Sequence, residues 1–266
     1  MVYGIWWYSL KLGPSLTCIK WWFSISSSID VNTLVFYPTP EHSCSYLDNR
    51  QARSIFLSPD QTLDESIYMQ LTDMGFRRSG EHIYRPWCEG CGECKSVRVP
   101  LAGFKVSKSQ KRVLNRNKDL HVSFELPSSS EEIYSLYVNY INQRHSDGDM
   151  YPPSLEQFKD FLCHSPPSSN TWFVCFRLEQ KLLAVAVVDI LPKGVSAIYT
   201  FFDPAYEVRS LGRLAVLWQI HWAKSKGMEF VYLGYWVKDC QKMAYKAEYQ
   251  PLQVFDDLIW QELIVP

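Results

Sequence analysis

The chain lacks the short signatures that carry most hydrolytic and nucleotide chemistry. No GxSxG turn, HExxH pair, P-loop or GxGxxG turn occurs in its 266 residues, which sets aside hydrolase, NTPase and dinucleotide readings. His42, His82, His121, His145, His164 and His221 fall at no metal-like mutual spacing. There is no uninterrupted apolar span of about 18 residues: Lys11, Pro14 and Lys20 break the apolar start, which also lacks a basic leading segment. A cytoplasmic protein with no membrane partner is the resulting expectation. Eight cysteines are too few for a disulfide scaffold, and 12 Gly with 15 Pro is neither collagenous nor low-complexity. Net charge is also scarce, at −1 from 27 basic and 28 acidic residues, which taken as an average argues against a nucleic-acid partner.

What is present is apolar material for a sizeable core, 47% hydrophobic and 15% aromatic. Residues 1–33 read as a non-native or dispensable extension, with a weak interfacial anchor as the alternative; the next methionine after Met1 is Met69. Capping boxes mark helix starts at Thr62-Leu-Asp-Glu65, Ser107-Lys-Ser-Gln110, Ser129-Ser-Glu-Glu132 and Ser154-Leu-Glu-Gln157. From Trp172 the pattern becomes β-branched and aromatic: WFVCFRL, LLAVAVVDIL and VSAIYTFFD read as an antiparallel meander. A helix over roughly Leu211 to Ser225 follows. Then come a strand FVYLGYW, a short helix through Met243 and Tyr245, and a closing strand near Leu252 to Phe255. This order is that of the acyl-CoA N-acyltransferase (GNAT) layout, in which a ligand sits where two central strands splay. The fold class is therefore α+β, with a small cysteine-containing domain over 34–125 and a GNAT-like mixed-sheet domain over 126–266.

Cys88-x-x-Cys91-x-x-Cys94 is the sharpest local constellation, because two intervening residues let successive thiolates turn to one centre. Cys44 is the nearest fourth ligand, with His42 or His82 as substitutes. Zn²⁺ or an iron–sulfur cluster suits such sulfur donors, and reduced thiols without metal are the alternative. Cys18, Cys163, Cys175 and Cys240 read as core residues. The average charge conceals an uneven distribution. Between Arg77 and Asp119 eleven Lys/Arg face four acids, a net of +7 that leaves −8 for the rest. Interleaved with Phe76, Tyr84, Trp87 and Phe104, this block suits RNA phosphates and unstacked bases better than a merely solvated surface.

In the second half, Arg209-Ser-Leu-Gly212-Arg213-Leu214 places Gly212 at a helix start, able to cradle a phosphate or simply to open the helix. Val231-Tyr-Leu-Gly-Tyr-Trp236 carries a glycine inside a strand, where another backbone or a ligand usually approaches. Tyr235 and Lys246 are its candidate site residues, whereas Trp236 and Met243 read as core.

Taken together, Pro40 to Tyr46, Arg50 to Arg53, Gly75 to Gly80, Tyr84 to Cys94 and Ser109 to Asn117 resemble the aminoacyl-tRNA–protein transferases. So do Tyr199 to Pro204, Ser210 to Gly212, Tyr232 to Trp236 and Lys242 to Lys246. The family comprises arginyl-transferases and their bacterial relatives, the aspartate/glutamate leucyltransferases. Cys44-Ser-Tyr, where the arginyl branch reads CGYC, resembles the leucyl branch. The resemblance implies transfer of leucine from Leu-tRNA to the N-terminal Asp or Glu of an acceptor protein, marking it for N-end rule degradation. Arginyl transfer, an acyl-CoA N-acyltransferase and a non-catalytic zinc-dependent RNA-binding protein are the alternatives. Because the ester of a charged tRNA is already activated and an α-amine has a pKa near 8, no cofactor and no covalent enzyme intermediate is required. Within that reading, Tyr235, Tyr245 and Lys246 are the candidates for the reaction centre, and Arg77, Arg78, Arg85, Arg98, Arg112, Asn117, Gly212, Tyr232 and Gly234 for substrate or tRNA. Any metal would be held by Cys44, Cys88, Cys91 and Cys94.

Overall fold

The computed structural model describes Ile19, Lys20 and residues 34–264; most of the 1–33 extension, and Cys18, lie outside the described residues. The first strands are β1 (Ile19–Lys20), β2 (Val35–Pro38), β3 (His42–Ser43), β4 (Gln51–Ala52) and β5 (Ser54–Leu57). Helix α1 (Glu65–Asp73) leads to β6 (Arg77–Ser79), β7 (His82–Pro86) and β8 (Lys95–Pro100). After α2 (Lys108–Arg116) and β9 (Leu120–Glu125) come α3 (Glu131–Arg144) and α4 (Leu155–Phe158), the last continuing as a wide turn through Cys163. The second half holds β10 (Asn170–Leu178), β11 (Lys181–Leu191), β12 (Gly194–Phe202), α5 (Leu211–Ser225), β13 (Phe230–Trp236), α6 (Gln241–Ala244), β14 (Gln253–Asp256) and β15 (Ile259–Glu262). Single 3₁₀ segments precede α5 (Pro204–Arg209) and follow α6 (Tyr245–Glu248).

A five-stranded sheet in the order β1-β2-β5-β7-β6 stands beside an eight-stranded mixed sheet, β15-β14-β8-β13-β12-β11-β10-β9. The meander β10-β11-β12 is antiparallel as its sequence leads one to expect, and alternation along it supplies both faces of the sheet. Val174, Phe176, Ala184 and Ala186 pack with α5 on one side, and Phe173, Cys175, Val185 and Val187 pack with α3 on the other. The expected division at residue 125 is not where the sheets divide. β8 lies inside the large sheet between β13 and β14, and β9 pairs with β10. Val97 and Val99 of β8 are fully buried in the α5-side core, so the chain before 126 completes the large sheet rather than standing apart from it.

Two of the expected caps shift. Asp64, not Thr62, caps α1, its Oδ1 accepting from the Ile67 amide at 2.7 Å. Ser130, not Ser129, is the cap residue of α3, and its side chain makes no cap bond. The Ser107–Gln110 box forms in full, and Ser154 caps α4. Among the described residues no helix is long and apolar enough to cross a membrane.

Candidate active site

β12 and β13 run parallel, but their ladder covers only Gly194 with Phe230, Val195 with Val231 and Ser196 with Tyr232. Beyond that point β12 continues to Phe202 and β13 to Trp236 without pairing to each other, so the two strands open as a V toward their C-terminal ends. The opening is set by the sequence of β13. Gly234 adopts φ +79°, a left-handed backbone that side chains rarely enter, and the register against β8 shifts between Tyr232 and Gly234. A Cβ at Gly234 would stand 3.8 Å from Lys246 Nζ, an ordinary contact, so the glycine is required by its backbone conformation and lies next to that amine.

Lys246 is the central side chain. It is 3% exposed, carried on the 3₁₀ segment after α6, and its Nζ donates to the Tyr235 carbonyl and, at 3.4 Å, to Met243 Sδ. A neutral amine has two N–H groups and one lone pair; those two acceptors use the N–H groups and leave the lone pair for a proton. Burial, with the Arg77 charge adding to it, brings the ammonium pKa down to about 7. Tyr245 beside it is half-buried, and burial lifts its phenol to about 12, so it stays protonated.

Tyr235 reaches this centre through its backbone and not through its ring. Its Oη donates to the carbonyls of Gly75 and Tyr84 at 2.9 and 3.2 Å, on the α1 side of the sheet, while its own carbonyl receives Lys246. Tyr232 also turns to that side, donating to Asp73 at 2.5 Å. Gly212 lies in the first turn of α5, where a Cβ would meet the Phe202 ring at 3.4 Å, at the open end of β12. Ser210, the residue before α5, has φ +55° and makes no side-chain cap bond.

The arginines proposed from sequence separate sharply. Arg78 is fully buried: it donates to both carboxylate oxygens of Asp189 at 2.6 and 2.8 Å, and to Thr171. Tyr68 donates to the same carboxylate. Burial alone would raise the Asp189 carboxyl, but Arg78 outweighs it and holds the group below its ordinary range. Arg77 is buried against the carbonyls of Thr72 and Phe76 and the Ser96 hydroxyl. Asn117 is buried and donates to the Val113 and Arg209 carbonyls at 2.8 Å. Arg85 donates to the Met74 carbonyl, and Arg98 to Asp73 and Gln253 with its guanidinium over Phe230 and Trp260. Buried and committed to the chain itself, Arg77, Arg78 and Asn117 cannot face a phosphate; they join the small sheet, α1 and α2 to the large sheet.

Arg112 is different. It lies on the exposed face of α2 with Lys108 and Lys111, flanked by exposed Lys105 and Lys118. None of these five forms an ion pair among the described residues. α2 is tied to the reaction centre by Gln110, whose Nε2 donates to the Glu248 carbonyl at 3.1 Å in the turn that carries Lys246.

Cys44, Cys88, Cys91 and Cys94 are free and partly buried. They do not form the ligand set expected from their spacing: among the described residues no three His, Cys, Asp or Glu side chains gather as metal donors. Cys88 Sγ is engaged with the backbone of Arg53, and Cys94 packs on Val237, Cys240 and Met243. Burial pushes the Cys94 thiol up to about 12, and the nearby thiols add to the shift.

Of the groups at the ends of the opened strands, the sequence pointed to Lys242 within the Lys242–Lys246 segment and missed Arg144, Asp147 and Asp149. Arg144, at the end of α3, stands over the Phe202 ring at 5.9 Å and pairs with Glu207 at 2.8 Å. Lys242 of α6 pairs with Asp147 at 3.1 Å, and Asp149 accepts from Ser45. No local motif joins residues so distant in sequence.

An opened parallel pair, a buried amine near neutrality and a cationic helix alongside are the features of a candidate group-transfer site. Comparison with known proteins gives that class its family. Residues 42–112 match the N-terminal model, and residues 132–256 the C-terminal model, of arginine-tRNA-protein transferase. The chain is 53% identical over 227 residues to the aspartate/glutamate leucyltransferase of Stutzerimonas stutzeri, covering 85% of this chain and 96% of that protein. It is 52% identical to the Pseudomonas fluorescens protein of that name and 51% to one from Pseudomonas putida, each with the same two coverages. Among solved structures, L-PGS from Bacillus licheniformis has a TM-score of 0.39 at 12% identity, covering 65% of this chain and 51% of that one, too remote to bear on activity. The chain belongs to the aminoacyl-tRNA–protein transferase family and is a transferase acting on aminoacyl-tRNA and protein.

Proposed function

We propose that the protein moves leucine from Leu-tRNA to the N-terminal Asp or Glu of acceptor proteins in the cytoplasm, marking them for N-end rule degradation. The observation that carries the reaction is Lys246, a buried amine with its two N–H groups engaged and its lone pair uncommitted, held against the C-terminal end of β13. The acceptor arrives as an α-ammonium of pKa near 8, close enough to that of Lys246 for the lysine to accept its proton. The freed α-amine attacks the carbonyl carbon of the leucyl ester, a C–N bond forms, and the C–O bond to the terminal ribose breaks. The proton taken by Lys246 then passes to the departing ribose oxygen, which restores the neutral amine, and the second proton of the attacking nitrogen is lost to solvent as the neutral amide forms. Tyr245, protonated throughout, is the hydrogen-bond donor nearest in sequence for the developing oxyanion.

The element order and the V between β12 and β13 support a GNAT-like catalytic half, with α2 as the rail along which tRNA phosphates approach. The test is to supply purified protein with a mixture of charged tRNAs and an Asp-initiated peptide and to weigh the product. Added leucine is the expected result. Added arginine would move the protein to the sister activity, and no addition would overturn the reading.

A further inference from the structure

Two cations lie past the C-terminal ends of the opened strands, Arg144 over Phe202 at the end of β12 and Lys242 on α6 after β13, and each already holds one carboxylate of the chain. Arg144 stands over Phe202, the last residue of β12, and pairs with Glu207 at 2.8 Å. Lys242, one helical turn before Lys246, pairs with Asp147 at 3.1 Å, and both members of that pair are more than half exposed. His145, between Arg144 and Asp147, is kept uncharged: burial, assisted by the Lys242 and Arg144 charges, pulls it down to about 4. Its ring bonds to the Tyr140 hydroxyl instead. The loop that presents Asp147 is anchored at its far side, where Ser45 donates to Asp149 at 3.5 Å.

We propose that Lys242, with Arg144 behind it, is the subsite for the acidic side chain of the acceptor's first residue. Asp147 is the internal carboxylate that this side chain displaces. The inference rests on the transferase reading above and deepens it by assigning the acceptor end of the site. A carboxylate fits the place better than a phosphate. Asp147, Asp149 and Glu207 surround the two cations and repel a polyanionic backbone, whereas the unpaired cations of α2 stand free to receive one. Exchange of one carboxylate for another also leaves the local charge balance unchanged, so neither cation is ever left without a counter-charge. The spacing is right in sequence as well. Lys242 is exposed and Lys246, four residues on, is buried, so a residue whose side chain is held at the first has its α-amine on the inner side, toward the second.

The test is steady-state leucine transfer, at saturating Leu-tRNA, to paired peptides that begin with Asp or with its neutral isostere Asn. Lys242→Ala is expected to raise KM for the Asp peptide by at least about tenfold. It should leave kcat for that peptide within about threefold, and the preference for Asp over Asn should collapse. Lys242→Arg is expected to restore most of that preference. Asp147→Asn, which removes the competitor, is expected to lower KM for the Asp peptide by about two- to fivefold. Equal loss with both peptides in Lys242→Ala, or an unchanged Asp-to-Asn ratio, would overturn the assignment while wild-type transfer still upheld the parent reading. Failure of the wild type to add leucine would overturn both.

Discussion

Lys246 differs from an ordinary lysine in one respect, its solvent. In water the amine of an unfolded chain titrates near 10.4, but in the folded protein burial favours the uncharged form down to about 7. The sign of the linkage follows. Below pH 7 both states carry the proton and the folded one bears the full cost of a buried charge; from pH 7 to about 10.4 only the unfolded chain holds it, so this group's contribution to stability rises across that window. Urea denaturation of Lys246→Met at pH 6.5 and 9.5 should therefore show a smaller gain with pH than wild type does. Asp189 has the same sign in a more acidic window. With its carboxyl held low by Arg78, it contributes stability above about pH 4 that is lost as the solution is acidified through the folded value. Removing one partner leaves the other charge buried and alone, so Arg78→Met is expected to cost about 3–5 kcal/mol in urea unfolding. The motif Gly75 to Gly80 singled out both arginines for tRNA or substrate, yet the sequence could not show that Arg77 and Arg78 face inward. Their buried partners, Ser96 and Asp189, are far along the chain.

At the scale of elements, α2 and β13 carry the site between them. α2 is amphipathic in charge: Gln110 and Val113 face the protein, and Lys108, Lys111 and Arg112 face solvent without ion pairs. Replacing those three with Gln should weaken tRNA binding at low salt and reduce the slope of log K against log salt by about two to three. An unchanged slope would place the tRNA elsewhere. In β13 the left-handed Gly234 is required by its φ rather than by crowding, so Gly234→Ala should cost about 1–2 kcal/mol and disturb the seating of Lys246. These elements were readable before the structure. The hydrophobic periodicity gave α5 over Leu211–Ser225 and the apolar run gave β13 over Phe230–Trp236. Cap positions were less secure, because hydroxyl and carboxylate side chains crowd the start of α1 and of α3, and the choice of Asp64 over Thr62 depends on how the preceding loop turns.

For the whole molecule, the large sheet draws on both halves of the chain. A strand pattern tells which residues alternate but not which strand will lie beside them, and for that reason β8 and β9 read as part of a separate unit. In fact β8 supplies the partner that β13 needs on the side away from the V. A fragment beginning at residue 126 would expose one edge of β13 and remove Val97 and Val99 from the core, so we expect it to be recovered unfolded or aggregated. The same arrangement ties the cationic helix α2 to the turn that carries Lys246 beside the opened strands. The most direct measurement of this account is single-turnover leucine transfer from Leu-tRNA to a saturating Asp-initiated peptide between pH 5.5 and 9, for wild type and Lys246→Arg. The account predicts a wild-type rate that rises through pH 7, and a variant slower by about 10²-fold or more at every pH because guanidinium cannot accept the proton. A Lys246→Arg protein that kept the wild-type rate and pH profile would contradict it.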